Sequence, residues 1–268
     1  MGNSALKHSL KKLRDEKPLV HNITNYVVMN FTANTLLAMG ASPVMAHAIE
    51  EVEEMVALSR SLVINIGTLS RYWVDAMLAA GKKANELGIP IVLDPVGSGA
   101  TSLRTKTFRT LADSLKLSIV RGNASEILSL LSKGITTKGV DSVHAVDQAL
   151  ADAMDLAKSI GTVVAVTGPI DLITDGRKVI RCHNGHPMLA SVTGTGCAAT
   201  ASIAAFAGII PNALEAAAAG LAFFGLAGEL AAKKSQSPGS FMIALIDSLY
   251  EITPEQFEAG ARLTTDPS

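Results

Sequence analysis

Short apolar runs rich in β-branched residues most strongly constrain how this chain can fold. Their residues do not alternate between apolar and polar, as those of a strand with one face in water do. Continuously apolar strands are typical of a parallel sheet that is covered on both faces. Four such runs predict strands, each ending near Gly, Asp or Pro: Leu62–Gly67 (LVINIG), Pro90–Val96 (PIVLDPV), Ser118–Asn123 (SIVRGN) and Val163–Pro169 (VVAVTGP).

Helical patterns lie between these runs. Arg71–Leu87 is amphipathic and is followed by Gly88, a typical helix end, and Ala145–Ser159 shows a second helical pattern. Strands that alternate with helices predict right-handed βαβ units. We therefore expect an α/β fold, with an open, mostly parallel sheet flanked by helices on both faces. Asp175-Gly176, between two β-rich arms, predicts a hairpin within 171–182.

The carboxyl-terminal part of the chain has a different character. Residues 197–263 show Ala-rich and amphipathic helical patterns and no strand, which predicts a helical C-terminal region. The apolar stretch 216–228 is too short to span a bilayer and is interpreted as a buried helix, or one packed against another subunit. No linker rich in Pro, Ser and Gly interrupts the chain, so we expect a single domain over residues 1–268.

Charge and composition exclude several classes of partner. The formal net charge is −1, so no overall basic field exists to hold nucleic acid or an anionic membrane. Aromatic residues make up only 4% of the chain, which also argues against base stacking. The mean hydropathy of +0.32 is high, yet we interpret the chain as a soluble protein. Because its two cysteines form no disulfide framework, we expect a reducing, cytoplasmic location.

Polar residues of interest follow the predicted strands. Asp94, Arg121, Thr167 and Gly168 all stand at carboxyl ends of strands. Open α/β sheets bind ligands at that edge. We therefore expect these residues to converge although they are distant in sequence.

Thr193-Gly-Thr-Gly-Cys197 precedes an Ala-rich stretch that predicts a helix. Gly194 and Gly196 allow close backbone approach, and the first N–H groups of a helix attract an anion such as phosphate. Cys197 falls in the first turn, where a helix lowers the pKa of a thiol. Two alternatives stay open: a helix entrance without a ligand, and a dinucleotide fingerprint, since Gly194, Gly196 and Ala199 fit GxGxxA.

Two acids and an arginine each have a local and a functional interpretation. Asn123 and Glu126 have the spacing of a helix capping box. Asp94 precedes a Pro- and Gly-containing turn and has the residue type that forms such turns. Beside Arg121, the same carboxylates have the chemistry to hold Mg²⁺ and a phosphate. The sequence alone leaves both interpretations open.

His21-Asn-Ile-Thr-Asn25 is unusually polar for a single helix cap. Thr24 or Asn25 has the residue type of an N-cap for a helix beginning near Val27. The remaining polar side chains suit a small heteroaromatic ligand, with Asn25 as a candidate contact. Met45 is either a core residue or the apolar wall of that pocket.

Seven motifs stand in order along the chain. They are HNITN (21–25), GASPVMA (40–46), NIGTL (65–69), DPVGSGAT (94–101), RGNASEI (121–127), AVTGP (165–169) and TGTGC (193–197). Together they resemble those of the hydroxyethylthiazole kinase family of thiamine salvage, from about residue 15 to about residue 250. The resemblance implies a ribokinase-like fold, Mg²⁺, ATP as co-substrate, and a homotrimer with active sites at subunit interfaces.

The implied reaction moves the ATP γ-phosphate to the primary hydroxyl of 4-methyl-5-(2-hydroxyethyl)thiazole. The resemblance implies that Met45 and Gly194 contact the thiazole and that Arg121 and Thr167 contact ATP. It also implies that the acids Asp94 and Glu126 organise Mg²⁺. Cys197 stands where the wider ribokinase-like superfamily has an aspartate base. Phosphoryl transfer is largely dissociative, so we expect Cys197 to be secondary to the backbone amides of 194–197.

Three other functions remain as alternatives. A kinase of the same fold could act on hydroxymethylpyrimidine or a sugar, although Cys197 in place of an acid argues against it. A non-catalytic sensor would bind the thiazole without transferring phosphate. An NAD-dependent oxidoreductase would explain the GxGxxA pattern, but the acidic residue at the required spacing, Glu215, lies in a helical run.

Overall fold

The computed structural model describes residues 2–131 and 144–266. Its strands are β1 (Leu19–Ile23), β2 (Ser42–Val44), β3 (Ser61–Asn65), β4 (Ile91–Asp94), β5 (Ile119–Asn123), β6 (Val163–Thr167), β7 (Asp171–Thr174), β8 (Val179–Cys182) and β9 (Leu263–Thr265). Within these described ranges they form one nine-stranded sheet in the order β2-β1-β3-β4-β5-β6-β7-β8-β9. Neighbours from β2 to β6 pair in parallel, and β7, β8 and β9 are antiparallel. The predicted open, mostly parallel sheet is confirmed.

Helices surround this sheet. They are α1 (Asn3–Glu16), α2 (Met29–Met39), α3 (Val52–Ala57), α4 (Arg71–Leu87), α5 (Ser102–Ser114), α6 (Ala124–Leu131), α7 (His144–Ile160), α8 (Thr195–Ala207), α9 (Ala213–Lys234), α10 (Pro238–Glu251) and α11 (Pro254–Gly260), with a 3₁₀ helix at Pro187–Ser191. The predicted helix Arg71–Leu87 is α4, and Ala145–Ser159 lies within α7. The hairpin predicted around Asp175-Gly176 joins β7 to β8.

Successive residues of the parallel strands enter two different cores. Val63 packs into the core formed with α1, α2 and α8–α11, whereas Leu62 and Ile64 pack into the core formed with α3–α7. Side chains of a strand point alternately to its two faces, so both faces must be apolar here. The helices on both faces explain why the strand runs show no polar alternation.

Several local predictions were wrong or incomplete. The helix predicted near Val27 begins at Met29, but its N-cap is Val28 and not Thr24 or Asn25. Asn25 Oδ1 instead accepts from Val27 N (3.1 Å) in the turn that precedes the helix. Strands β1, β2 and β9 were not predicted. They are three to five residues long, and β9 pairs only with the distant β8.

The stretch 216–228 was judged too short for a membrane span, but it belongs to the 22-residue helix α9. By length and composition this helix is able to cross a membrane, yet 78% of its most apolar window is buried inside the protein. A Cβ on Gly220 would stand 2.7 Å from Ile203 N, so α9 packs directly on the backbone of α8. Burial, rather than length, identifies α9 as a core helix. The prediction that 216–228 forms a buried helix is confirmed.

The order of the strands positions the site. β1 lies between β2 and β3, so the strand order reverses there. In open α/β sheets the crevice at such a reversal, outside the carboxyl ends of the strands, is the ligand site. α8 packs across β1, β3 and β4, which brings its own amino terminus to this edge.

Candidate active site

The amino terminus of α8 forms an anion site. Gly194 is its N-cap, in the left-handed region at φ +87°, and the first helical hydrogen bond runs from Ala198 N to Gly194 O (2.9 Å). The N–H groups of Thr195, Gly196 and Cys197 precede that bond and have no helical acceptor. They stand at the positive end of the helix macrodipole, where a phosphate is stabilised.

Arg121 places a cation over this helix terminus. It lies on β5, and its side chain is only 11% exposed. Its Nη2 donates to Thr167 Oγ1, and its Nη1 lies 3.8 Å from Asp94 Oδ2. A Cβ on Gly196 would stand 2.8 Å from Nη1, so the guanidinium depends on that residue being glycine. The predicted convergence of Arg121, Thr167 and Asp94 is confirmed.

Asp94 is fully buried at the end of β4. Its Oδ2 accepts from Asn65 Nδ2 (3.0 Å) and from Thr200 Oγ1 (2.9 Å), while Oδ1 is enclosed without a partner among the described residues. Burial raises the pKa of Asp94 to about 6, against the opposing charge of Arg121. The carboxylate therefore keeps one oxygen without a hydrogen bond beside the anion site, rather than serving the turn after it.

Glu126 closes the capping box that its spacing predicts. Asn123 N donates to its Oε2 (2.9 Å), and Glu126 N donates to Asn123 Oδ1 (2.9 Å). Its second oxygen, Oε1, accepts from Gly97 N (2.7 Å) in the turn after β4. Glu126 thus fixes two loops at the strand edge, and its charge is near enough to raise the pKa of Asp94.

Two asparagines connect the first strands with the thiol. Asn25 Nδ2 donates to Asn65 Oδ1 (2.9 Å), and Asn65 Nδ2 lies 3.2 Å from Cys197 Sγ. Asn25 Nδ2 lies 3.6 Å from the same sulfur. Burial, followed by the charge of Asp94, raises the pKa of Cys197 to about 12. The expected lowering by the helix is wrong here, because desolvation of the thiolate outweighs the helix dipole.

Met45 stands apart from this network. It is half-buried, so it is not the core residue that one interpretation proposed, and it directly follows β2 on the far side of β1. The adjacent Ala46 O bonds His21 Nε2 at 2.7 Å, which anchors the segment to β1. A Cβ on Gly194 would stand 2.9 Å from Val28 Cγ1, so Val28, the N-cap of α2, covers that glycine.

A cavity of about 530 Å³ opens beside the anion site. Its polar end contains Arg121, Thr167 and Gly168, next to Gly196 of α8. Apolar side chains from the 3₁₀ helix and α9, including Leu189, Leu221 and Phe224, form much of the remaining wall, and the polar residues Asp171, Asn184 and His186 also line it. A cavity of this size that combines the cation of Arg121 with an apolar wall suits a nucleotide.

Sequence reasoning missed three polar residues of the site: Asn65, Thr200 and Asp171. Asn65 is a buried polar residue that ends an apolar strand, and this was a usable signal. Thr200 follows Gly196 by four residues and so shares its helix face. Asp171 begins β7, and its Oδ1 accepts from Gly168 N (3.0 Å). Nothing in the hairpin pattern marked this aspartate as a cavity residue.

Comparison with known proteins gives the family. The model of the hydroxyethylthiazole kinase family matches residues 10–255. The chain belongs to the hydroxyethylthiazole kinase family. It is 57% identical over 255 residues to a hydroxyethylthiazole kinase from Desulfotalea psychrophila, covering 95% of this chain and 93% of that one. Membership of this family makes the protein a kinase, with ATP as co-substrate.

Solved structures agree with the fold. A hydroxyethylthiazole kinase protein from Pyrococcus horikoshii superposes with a TM-score of 0.91 at 43% identity, over 98% of this chain and 99% of that one. A ribokinase-like superfamily protein from Enterococcus faecalis shares the fold alone, with a TM-score of 0.64 at 15% identity over 91% and 93% of the two chains. The ribokinase-like fold is thereby confirmed, and the oxidoreductase alternative is excluded by the family.

Proposed function

We propose that this family member moves the γ-phosphate of ATP to the primary hydroxyl of 4-methyl-5-(2-hydroxyethyl)thiazole in thiamine salvage. The observation that carries the proposal is the juxtaposition of Arg121, which lines a nucleotide-sized cavity, with the amino terminus of α8 and with the buried Asp94 behind it. The D. psychrophila and P. horikoshii relatives carry the hydroxyethylthiazole kinase name.

Stabilisation of the transferring phosphate is assigned to the anion site. The N–H groups of Gly196 and Cys197 and the guanidinium of Arg121 provide fixed donors in a buried setting, where such donors act most strongly. Gly194 allows the left-handed N-cap conformation that opens α8, and Gly196 leaves room for the Arg121 guanidinium beside the helix terminus. Thr167 orients Arg121 by accepting from its Nη2, and Gly168 forms the adjoining cavity wall.

Asp94 and Glu126 are the residues that we assign to Mg²⁺. The enclosed, unpartnered Asp94 Oδ1 fits a cation, and Glu126 adds a second carboxylate at the same edge. No cluster of three or more metal-binding side chains occurs in the part of the chain that the structure describes. This fits Mg²⁺, which proteins usually hold through one or two carboxylates, waters and substrate phosphates. When bound, the ion neutralises charge on the phosphates.

We assign the acceptor site to Asn25, Met45 and Gly194. Asn25 is held by Asn65 and lies against Cys197, so its position is fixed before any ligand binds. Cys197 remains a neutral thiol at physiological pH and is a poor base for an alcohol. Because the transition state is largely dissociative, positioning of the hydroxyl matters more than its early deprotonation. The role of Cys197 is therefore to fill and orient the site.

We further propose a homotrimer with active sites at subunit interfaces. Large apolar side chains are exposed beside the site and on α2 and α10, among them Val27, Leu37 and Ile243. Val28, next to Val27, covers Gly194, so a neighbour seated on this surface would adjoin the acceptor site. Light scattering should give about three times the monomer mass of 27.9 kDa. Ile243→Asp should dissociate the trimer, whereas Leu103→Asp, an exposed control on α5, should not.

Two further features belong to the same proposal. Residues 1–268 act as one kinase domain, which is supported by the single sheet that runs through the described residues and by the family match over 10–255. The enzyme works in the cytoplasm with two small-molecule substrates, and neither nucleic acid nor a membrane is a partner. The weak net charge of −1 supports the absence of such partners.

Phosphorus NMR tests the reaction directly. Purified protein is incubated with MgATP and hydroxyethylthiazole, and with hydroxymethylpyrimidine in a parallel tube. A phosphomonoester signal with the thiazole alone is the expected result. Product with the pyrimidine alone would keep the fold and the phosphate site but overturn the acceptor. No product in either tube, with thiazole binding intact, would favour the sensor.

A further inference from the structure

Asp171 is a buried carboxylate in the wall of the nucleotide cavity, and the proposed phosphate chemistry does not use it. It begins β7, lines the cavity and is 9% exposed. Its Oδ1 accepts from Gly168 N at 3.0 Å. Its Oδ2 has no hydrogen-bond partner within residues 2–131 and 144–266, and it is not among the fully enclosed polar atoms. One carboxylate oxygen is therefore free and reachable from the cavity.

The surroundings of this oxygen restrict what binds it. Burial raises the pKa of Asp171 to about 6, so the group is mainly ionised at neutral pH. A desolvated carboxylate oxygen without a donor is costly, which favours a ligand that donates. A phosphate has no proton to donate and carries the same sign of charge. Arg121, which acts on the pKa of Asp171, already pairs with Thr167.

The position of Asp171 along the cavity indicates which donor it meets. Gly168, to which it is bonded, directly follows Thr167 and so adjoins the polar end. The apolar side chains of Leu221 and Phe224, on α9, suit the base. In a nucleotide the sugar lies between phosphates and base, and its hydroxyls are the neutral donors nearest the phosphates. Carboxylates commonly accept from ribose hydroxyls in nucleotide sites.

We infer that Asp171 recognises the sugar of the nucleotide, with Oδ2 accepting from a ribose hydroxyl while Oδ1 holds Gly168 N. This inference rests on the proposed function, because it places ATP in this cavity. One carboxylate then connects the sugar to the loop that carries Thr167, the partner of Arg121. Asp171 is thus a specificity-determining residue for ribonucleotides.

Calorimetric binding of ADP, 2′-deoxyADP, 3′-deoxyADP and IDP tests the inference without any turnover. Wild-type protein should bind at least one deoxy analogue on the order of tenfold to a hundredfold more weakly than ADP, as expected for a hydrogen bond to a charged group. In Asp171→Asn, which keeps an acceptor for Gly168 N, that difference should shrink to about threefold or less. Asp175→Asn, in the exposed turn of the same hairpin, is the matched control and should discriminate as the wild type does.

Several results would overturn the inference. Equal wild-type affinity for ADP and both deoxy analogues would do so whether or not the variant folds. A folded Asp171→Asn variant that still discriminates between ADP and its deoxy analogues as the wild type does would also overturn it. Weaker wild-type binding of IDP alone would assign the carboxylate to the base instead. If ribose discrimination is found but phosphorus NMR shows no transfer, the inference stands and the proposed reaction fails.

Discussion

Gly196→Ala should separate catalysis from stability in this protein. Gly196 is the second residue of α8, and the advantage of alanine over glycine in a helix is at most about 1 kcal/mol, the value for a helix interior. The new Cβ would stand 2.8 Å from Arg121 Nη1, and ordinary contact begins at 3.4 Å. Because the guanidinium is the flexible end of a side chain, it can move aside at little cost to folding. We therefore expect a melting temperature within about 4 °C of the wild type.

The same displacement should impair phosphoryl transfer. Arg121 Nη1 must move by at least about 0.6 Å, which also disturbs its hydrogen bond to Thr167. Misplacement of a catalytic group by about 1 Å can cost on the order of 10²-fold in rate. We expect kcat/KM for ATP to fall by about 10²-fold, which corresponds to roughly 2.7 kcal/mol of transition-state stabilisation. A coupled assay of ADP release, read beside differential scanning fluorimetry, measures both quantities.

Gly239→Ala provides the matched control. Gly239 is also the second residue of its helix, α10, and a Cβ there would meet nothing within 4 Å. Gly239→Ala should change the melting temperature as little as Gly196→Ala does, and its kcat/KM should be that of the wild type. Wild-type kcat/KM in Gly196→Ala would refute the placement of the phosphate beneath Arg121. A large fall in melting temperature would instead show that the fold, and not the site, was damaged.

Three other predictions follow from the site. Arg121→Ala should lower kcat by about 10²- to 10³-fold with a native circular dichroism spectrum, and retained activity would remove Arg121 from the phosphate site. Cys197→Ser should lower kcat by less than about tenfold, and Cys197→Asp should keep or improve kcat, since a thiol with a pKa of about 12 is no base at neutral pH. A loss of several orders of magnitude in kcat in the serine variant would contradict this. Because the pKa of Cys197 is raised, its alkylation by iodoacetamide in Cys182→Ala protein should increase about tenfold per pH unit from 7 to 10. A rate that levels off above about pH 9 would show an ordinary thiol, with a pKa of about 8.5.

Local patterns were sufficient for much of the fold and for part of the site. The parallel strands, helix α4, the entrance to α8 and the capping box of Asn123 and Glu126 depend on residues close together in sequence. Strand ends could also be assigned to one edge, because parallel strands share their direction. The convergence of Asp94, Arg121 and Thr167 followed from that rule alone.

Other features depended on which distant elements become neighbours. The contacts of Asp94 with Asn65 and Thr200 join β3, β4 and α8, and the sequence does not state that β3 lies beside β4 and beneath α8. The bond from Gly97 N to Glu126 likewise crosses between two loops. Such pairings arise from the order of strands in the sheet, and no periodic pattern encodes that order.

The thiol of Cys197 and the carboxylate of Asp171 show most clearly why local patterns were not sufficient. The sequence placed Cys197 in the first turn of a helix and thereby indicated a lowered pKa, but burial beside Asp94 raises it. The hairpin pattern located Asp171 without showing that it lines the cavity. Sequence by itself determined the parallel strands β3–β6, helix α4 and the entrance to α8, because the patterns that specify them are local. Only the tertiary structure decided how much water each ionisable group retains, because desolvation depends on everything that packs around it.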